Sequence, residues 1–163
     1  MGHLPSEKKY ICAVAPHTSN WDVVVGMGAR SILKITNARF LGKSQLFRWP
    51  FGVFFKWIGG IPVYRDEKHD MVEQVSAIAR SSDEFILAIA PEGTRKKVNK
   101  LKTGFWYISK AANIPVVPVG LDYKKHEVVI GPPIYATDLD KDMQTLVEFY
   151  KGITGKNPAL GIH

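Results

Sequence analysis

Cysteine is almost missing from this 163-residue chain. The one thiol, Cys12, has no partner for an intramolecular disulfide, and its place inside an apolar run makes it a small core hydrophobe. Cys/His clusters with zinc-ligand spacing are absent, so no metal is expected. No run reaches the ~18 continuous apolar residues that a membrane-spanning helix needs. Met1 to Lys9 is too polar for a secretory signal. If such a chain meets a membrane, the expectation is that it lies on it. The phosphate loop Gly-x-x-x-x-Gly-Lys-Ser/Thr and the dinucleotide turn Gly-x-Gly-x-x-Gly are both missing, which excludes those nucleotide cradles. The nucleophile elbow Gly-x-Ser-x-Gly is missing too. There is no internal repeat and no low-complexity tract.

Negative charge is also in deficit. Against 15 acidic residues stand 22 basic ones, a formal net charge of +7. An excess of that size suits an anionic partner: nucleic acid, anionic lipid headgroups or a phosphorylated substrate. An apolar content of 45% is ordinary for a soluble globular protein, and the length suits one domain with a real core.

Apolar runs alternate with helical periodicity. Tyr10–Val14, Ala38–Gly42, Ile61–Tyr64, Phe85–Ala90, Ile114–Leu121 and Glu127–Ile130 read as strands. Trp21–Ile35, Asp66–Arg80, Thr103–Asn113 and a segment from Thr137 or Asp138 to Tyr150 read as helices. Pro115 and Pro118 push their strand towards a sheet edge. Leu46 to Ile58, around Trp49, is rich in aromatic rings interrupted by Arg48 and Lys56. It reads either as an amphipathic helix packed on the sheet or as an interfacial element at a membrane. The expected fold is α/β: one domain over residues 1–163, with a mixed, largely parallel sheet flanked by helices. The motif-bearing core covers about residues 10–121, and a C-terminal helix and loose tail cover residues 138–163.

His17 sits where the first strand ends and a helix is about to begin, the edge where open α/β sheets bind ligands. Thr18, Ser19 and Asn20 are good N-cap types, which places Asp22 in the first helical turn. From there a carboxylate can fold back on the imidazole, fix its tautomer and stabilise its cation. The plainer alternative is a His that caps the helix and an Asp that favours its positive end. Further loops after strands carry Lys43, Arg65 and the run Pro91-Glu92-Gly93-Thr94-Arg95. Parallel strands would gather them along one edge, a proton acceptor beside a phosphate cradle built on arginine forks.

His17-x-x-x-x-Asp22 and Pro91–Arg95 resemble the first and third motifs of the glycerolipid acyltransferase family. Gly60–Arg65 resembles the second and Ile114–Val119 the fourth, all in order within Tyr10 to Leu121. The resemblance implies acyl transfer from acyl-CoA or acyl carrier protein to a lysophospholipid hydroxyl, foremost 1-acylglycerol 3-phosphate, with no cofactor. It implies His17 as general base and Asp22 as its partner. Lys43, Arg65, Glu92, Gly93, Thr94 and Arg95 would face the acceptor. A carboxylate repels phosphate, so Glu92 would anchor Arg95, hold a backbone amide or touch a glycerol hydroxyl. Pro16 stands where many members have Asn, and the chain is short for the family. The first departure leaves the exact acceptor open, with glycerol 3-phosphate, another lysophospholipid or a lyso-aminolipid as alternatives and a non-catalytic lipid-binding protein of the same fold as the rival. The second suggests a peripheral enzyme at the cytoplasmic face of an anionic membrane, or one acting on a less usual amphiphile. Nucleic acid is not expected as a partner, because the cations lie beside the acyltransferase motif and no nucleic-acid module is present.

Overall fold

Residues Lys9–Ala15 form strand β1, and its side chains enter two different cores. Ile11, Ala13 and Ala15 belong to one buried cluster, Tyr10 and Cys12 to another. A strand buried on both faces reads as an unbroken apolar run, as this one does. The computed structural model describes residues 4–48, 50, 52–63 and 68–162. After β1 come α1 (Trp21–Ile32), β2 (Arg39–Lys43), α2 (Gly52–Trp57), β3 (Gly60–Val63), α3 (Lys68–Ser81) and β4 (Phe85–Ile89). Then follow α4 (Gly104–Ala112), β5 (Val116–Asp122), β6 (Glu127–Ile130) and α5 (Leu139–Lys151).

The six strands lie in the order β3-β2-β4-β1-β5-β6. All pairings are parallel except the last, where β6 runs antiparallel to β5. The expected α/β fold with a mixed, largely parallel sheet is therefore the observed one. Its consequence is geometric. The C-terminal ends of β1 to β5 share one edge, so the loop at His17, Lys43 at the end of β2, the loop at Glu92 and the turn at Tyr123 all emerge there.

Helices α3, α4 and α5 cover one face through Val75, Phe105, Ile108, Leu146 and Tyr150, packed on Ile11, Leu87 and Val116. Polar ties lock this layer. Tyr150 Oη donates to Ala13 O at 2.5 Å, and Trp106 Nε1 donates to Asp142 Oδ2 at 2.9 Å. The opposite face is covered by Leu33, Ile35, Ala38 and Leu4. Helix α1 buries only Asp22 and leaves Trp21, Val23, Val24, Met27 and Ile32 exposed.

Four sequence readings are corrected. The α1 helix stops at Ile32, where Lys34 turns left-handed at φ 57° and ends the 3.6-residue repeat. The aromatic segment is broken into a 3₁₀ turn, Ser44–Phe47, and the short α2; Trp49 and Phe51 lie outside the described residues. Strand β5 is interior rather than an edge. Pro118 is tolerated because it falls between the last β6 pair, Val119–Ile130, and the bridge Val116–Ile134, so no ladder donor is lost. The tail is not loose: Thr154 O accepts from Tyr123 N at 2.8 Å, and Asn157 bonds Thr18 twice.

Candidate active site

The loop between β1 and α1 is held from its helix side by Asp22. Asp22 Oδ2 accepts from the backbone of Thr18 at 2.7 Å and of Ser19 at 2.8 Å. It also lies 3.1 Å from His17 Nδ1. Asn20 occupies the N-cap but makes no side-chain cap bond; Ser19 Oγ accepts from Trp21 N at 3.2 Å, and Asp22 reaches back to the loop amides ahead of the helix. With 4% exposure, an ionised Asp22 needs these donors. Nδ1–H donation to Asp22 leaves Nε2 with its lone pair free. The His17 side chain remains 24% exposed. A partly open, neutral imidazole braced by a buried carboxylate can take a proton from a hydroxyl and give it up again.

From the turn after β4, Glu92 reaches the same loop. Its Oε2 accepts from His17 N at 2.5 Å, and the residue is 2% exposed. Of the three options for this carboxylate, the observed one is a backbone amide. Glu92 shapes the backbone that carries the imidazole. Burial pushes its carboxyl up to about 7; the His17 N–H counteracts this and the charge of Asp22 adds to it.

Gly93 adopts φ 64°, a left-handed conformation that favours glycine. A Cβ there would meet Lys102 Nζ at 2.6 Å, so the Lys102 side chain lies directly over this glycine. Thr94 and Arg95 are exposed. Arg95 makes no hydrogen bond among the described residues and is free to meet a ligand. Lys43 ends β2 on the same edge. Arg65 lies outside the described residues. The sheet thus brings His17, Asp22, Glu92 and Gly93 together, with Thr94 and Arg95 on the adjoining loop. Among the described residues no cluster of three His, Cys, Asp or Glu could hold a metal ion.

A sequence family described as Acyltransferase matches residues 2–122, about three quarters of the chain. The chain belongs to the acyltransferase family. Its fold is also that of a solved member, the 1-acyl-sn-glycerophosphate (LPA) acyltransferase PlsC from Thermotoga maritima. The two share 19% identity at a TM-score of 0.57, over 93% of this chain and 70% of that one. No protein of curated function matches in sequence.

Three contributors to this candidate site escape motif reading. Tyr123 Oη donates to Asp22 Oδ1 at 2.7 Å across 101 residues of sequence. Asn157 brackets Thr18: its N donates to Thr18 Oγ1 at 3.1 Å and its Nδ2 to Thr18 O at 2.8 Å. Lys102 sits in a run of lysines that reads simply as a basic loop. Two of the three lie beyond the family match, and only the β5 end and the returning tail bring them in.

Proposed function

We propose that this protein transfers a fatty acyl group from acyl-CoA or acyl carrier protein to the hydroxyl of a lysophospholipid, foremost 1-acylglycerol 3-phosphate. The observation that carries this reading is His17 Nδ1 at 3.1 Å from buried Asp22, at the strand-end edge of an acyltransferase-family fold. In this reading His17 Nε2 takes the acceptor proton as the hydroxyl oxygen attacks the thioester carbonyl. A C–O bond forms, the C–S bond breaks, and the imidazolium returns the proton to the leaving thiolate. Asp22 stabilises the cation between the two steps. Lys43, Arg65, Gly93, Thr94 and Arg95 receive the acceptor phosphate, and Glu92 fixes the His17 backbone beneath it. No cofactor enters these steps.

The same reading puts the enzyme on the inner surface of an anionic membrane, where a lysophospholipid is found. The exposed rings and aliphatic groups of α1 (Trp21, Val24, Met27) and α2 (Phe54, Trp57) support this. Arg30 Nη1 donates to Ile58 O at 3.0 Å, which ties α1 to the end of α2. Between Asp22 and Asp66 the sequence has seven basic residues and no acidic one. Apolar groups rimmed by cations suit headgroup phosphates and the acyl boundary beneath them.

The test is transfer from labelled palmitoyl-CoA and palmitoyl carrier protein to lysophosphatidate, comparing the native chain with His17→Ala. Product from the native chain, reduced about a hundredfold or more in the variant, is expected. Equal rates would remove His17 as the base. A folded native chain that binds anionic vesicles and transfers to no glycerolipid acceptor would instead be a lipid-binding relative.

A further inference from the structure

We infer that Tyr123 is a positioning residue of the site, setting the orientation and charge of Asp22 and, through it, the basicity of His17. The proposal rests on the general-base reading above. Its geometry is independent of any substrate. Oδ2 of Asp22 serves three donors, the amides of Thr18 and Ser19 and the His17 ring. Oδ1 has a single partner among the described residues, the Tyr123 hydroxyl at 2.7 Å. Without it the carboxylate would carry an unpaired oxygen in a site 4% exposed.

The tyrosine is itself held from behind. It is the first residue after β5, and its N–H donates to Thr154 O at 2.8 Å. The segment bearing Thr154 then runs to Asn157, which grips Thr18. Gly155 packs so tightly there that a Cβ would stand 2.9 Å from Pro16 and 3.1 Å from Thr18. Strand end, tail and catalytic loop form one closed circuit.

A phenol donating to a carboxylate draws off part of its negative charge. Asp22 then holds imidazolium less tightly, and His17 gives up its proton more readily. Among the described residues, Glu92 holds the His17 backbone, and Lys156 on the adjoining tail has its Nζ 4.7 Å from the centre of the Trp21 ring. Neither reaches Oδ1. Burial and the Asp22 carboxylate hold the Tyr123 phenol well above its ordinary range, so it remains a donor throughout the working pH.

Tyr123→Phe removes the hydroxyl and keeps the ring. The experiment follows His17 by imidazole NMR titration in the native chain and the variant, alongside kcat and KM against pH and the unfolding midpoint. We expect the His17 titration midpoint to rise by about half a pH unit. The acid limb of kcat/KM should move with it, and kcat should fall about tenfold with the acceptor KM unchanged. An unchanged midpoint with an unchanged pH profile would overturn the proposal. A loss of rate tracking only a lower unfolding temperature would overturn it as well, because it would mark Tyr123 as merely structural. The titration needs no acyl transfer. If His17→Ala proved fully active, the base assignment would fail while the NMR arm still decided the role of Tyr123.

Discussion

Helices α1 and α4 are both rich in apolar residues and meet opposite surroundings. Helix α4 buries Phe105, Trp106, Ile108 and Ser109 against the sheet and the neighbouring α3. Helix α1 buries one residue, and that residue is a carboxylate. Ile108 is 0% exposed and Ile32 is 82% exposed. Apolar periodicity therefore marks a surface that seeks cover without saying whether the cover is the protein's own core. In α4 the cover is the sheet. In α1 the buried group serves the site and the apolar groups are left for something else.

The pair of isoleucines gives the sharpest break. Ile108→Ala should cost ~2–5 kcal/mol, from lost transfer energy plus the cavity left in a packed core. Ile32→Ala should stay within about 0.5 kcal/mol. Both are read from urea unfolding midpoints at constant slope. A cost at Ile32 matching that at Ile108 would make α1 an ordinary core helix and end the comparison.

A second contrast lies between the buried carboxyls that meet at the His17 loop. Asp22 has four donors, whereas Glu92 has the His17 amide. Burial holds the folded Glu92 carboxyl at about 7, against 4.5 in the unfolded chain. Between those values the folded state keeps a proton that the unfolded chain has released. Its contribution to stability is complete below 4.5 and fades as pH rises to 7, by on the order of 3 kcal/mol. Glu92→Gln keeps an acceptor for His17 N–H and removes the titration. Native stability measured relative to this variant should therefore fall across that window. A difference that stays flat with pH would mean that Glu92 titrates normally.

How much of this was legible in advance follows from the range of each interaction. Strand runs and loop positions are local properties, and parallel pairing then put His17, Lys43 and Glu92 at one edge. The His17–Asp22 contact spans five residues and could be anticipated from helix geometry. For Glu92 the sequence leaves three options open, Arg95, a backbone amide or a glycerol hydroxyl, and only the fold selects the His17 amide, 75 residues away. Tyr123 and Asn157 carry no motif and reach the loop only because β5 lies beside β1 and the tail folds back. The tail's glycines and Asn157 looked like looseness in sequence; Gly155 is there because the chain passes too close to Pro16 for a side chain. Pro118 misled for a related reason, because an interior strand still has a place where a donor is not needed.

The smallest effect on stability should accompany a clear effect on binding. Phe54 and Trp57, whose ring centres lie 6.4 Å apart on α2, are 54% and 80% exposed. Trp57→Ser should leave the unfolding midpoint within about 0.5 kcal/mol. It should lower partition onto anionic phosphatidylglycerol vesicles roughly three- to tenfold, measured by sedimentation at fixed salt. Raising the salt should weaken native binding further, because the headgroup part of the attraction is screened. The informative control is Lys96→Ser with Lys97→Ser, on the basic loop after Arg95. If those changes release the protein from vesicles and Trp57→Ser does not, the membrane faces the phosphate side of the site. The apolar groups of α1 and α2 would then need another partner.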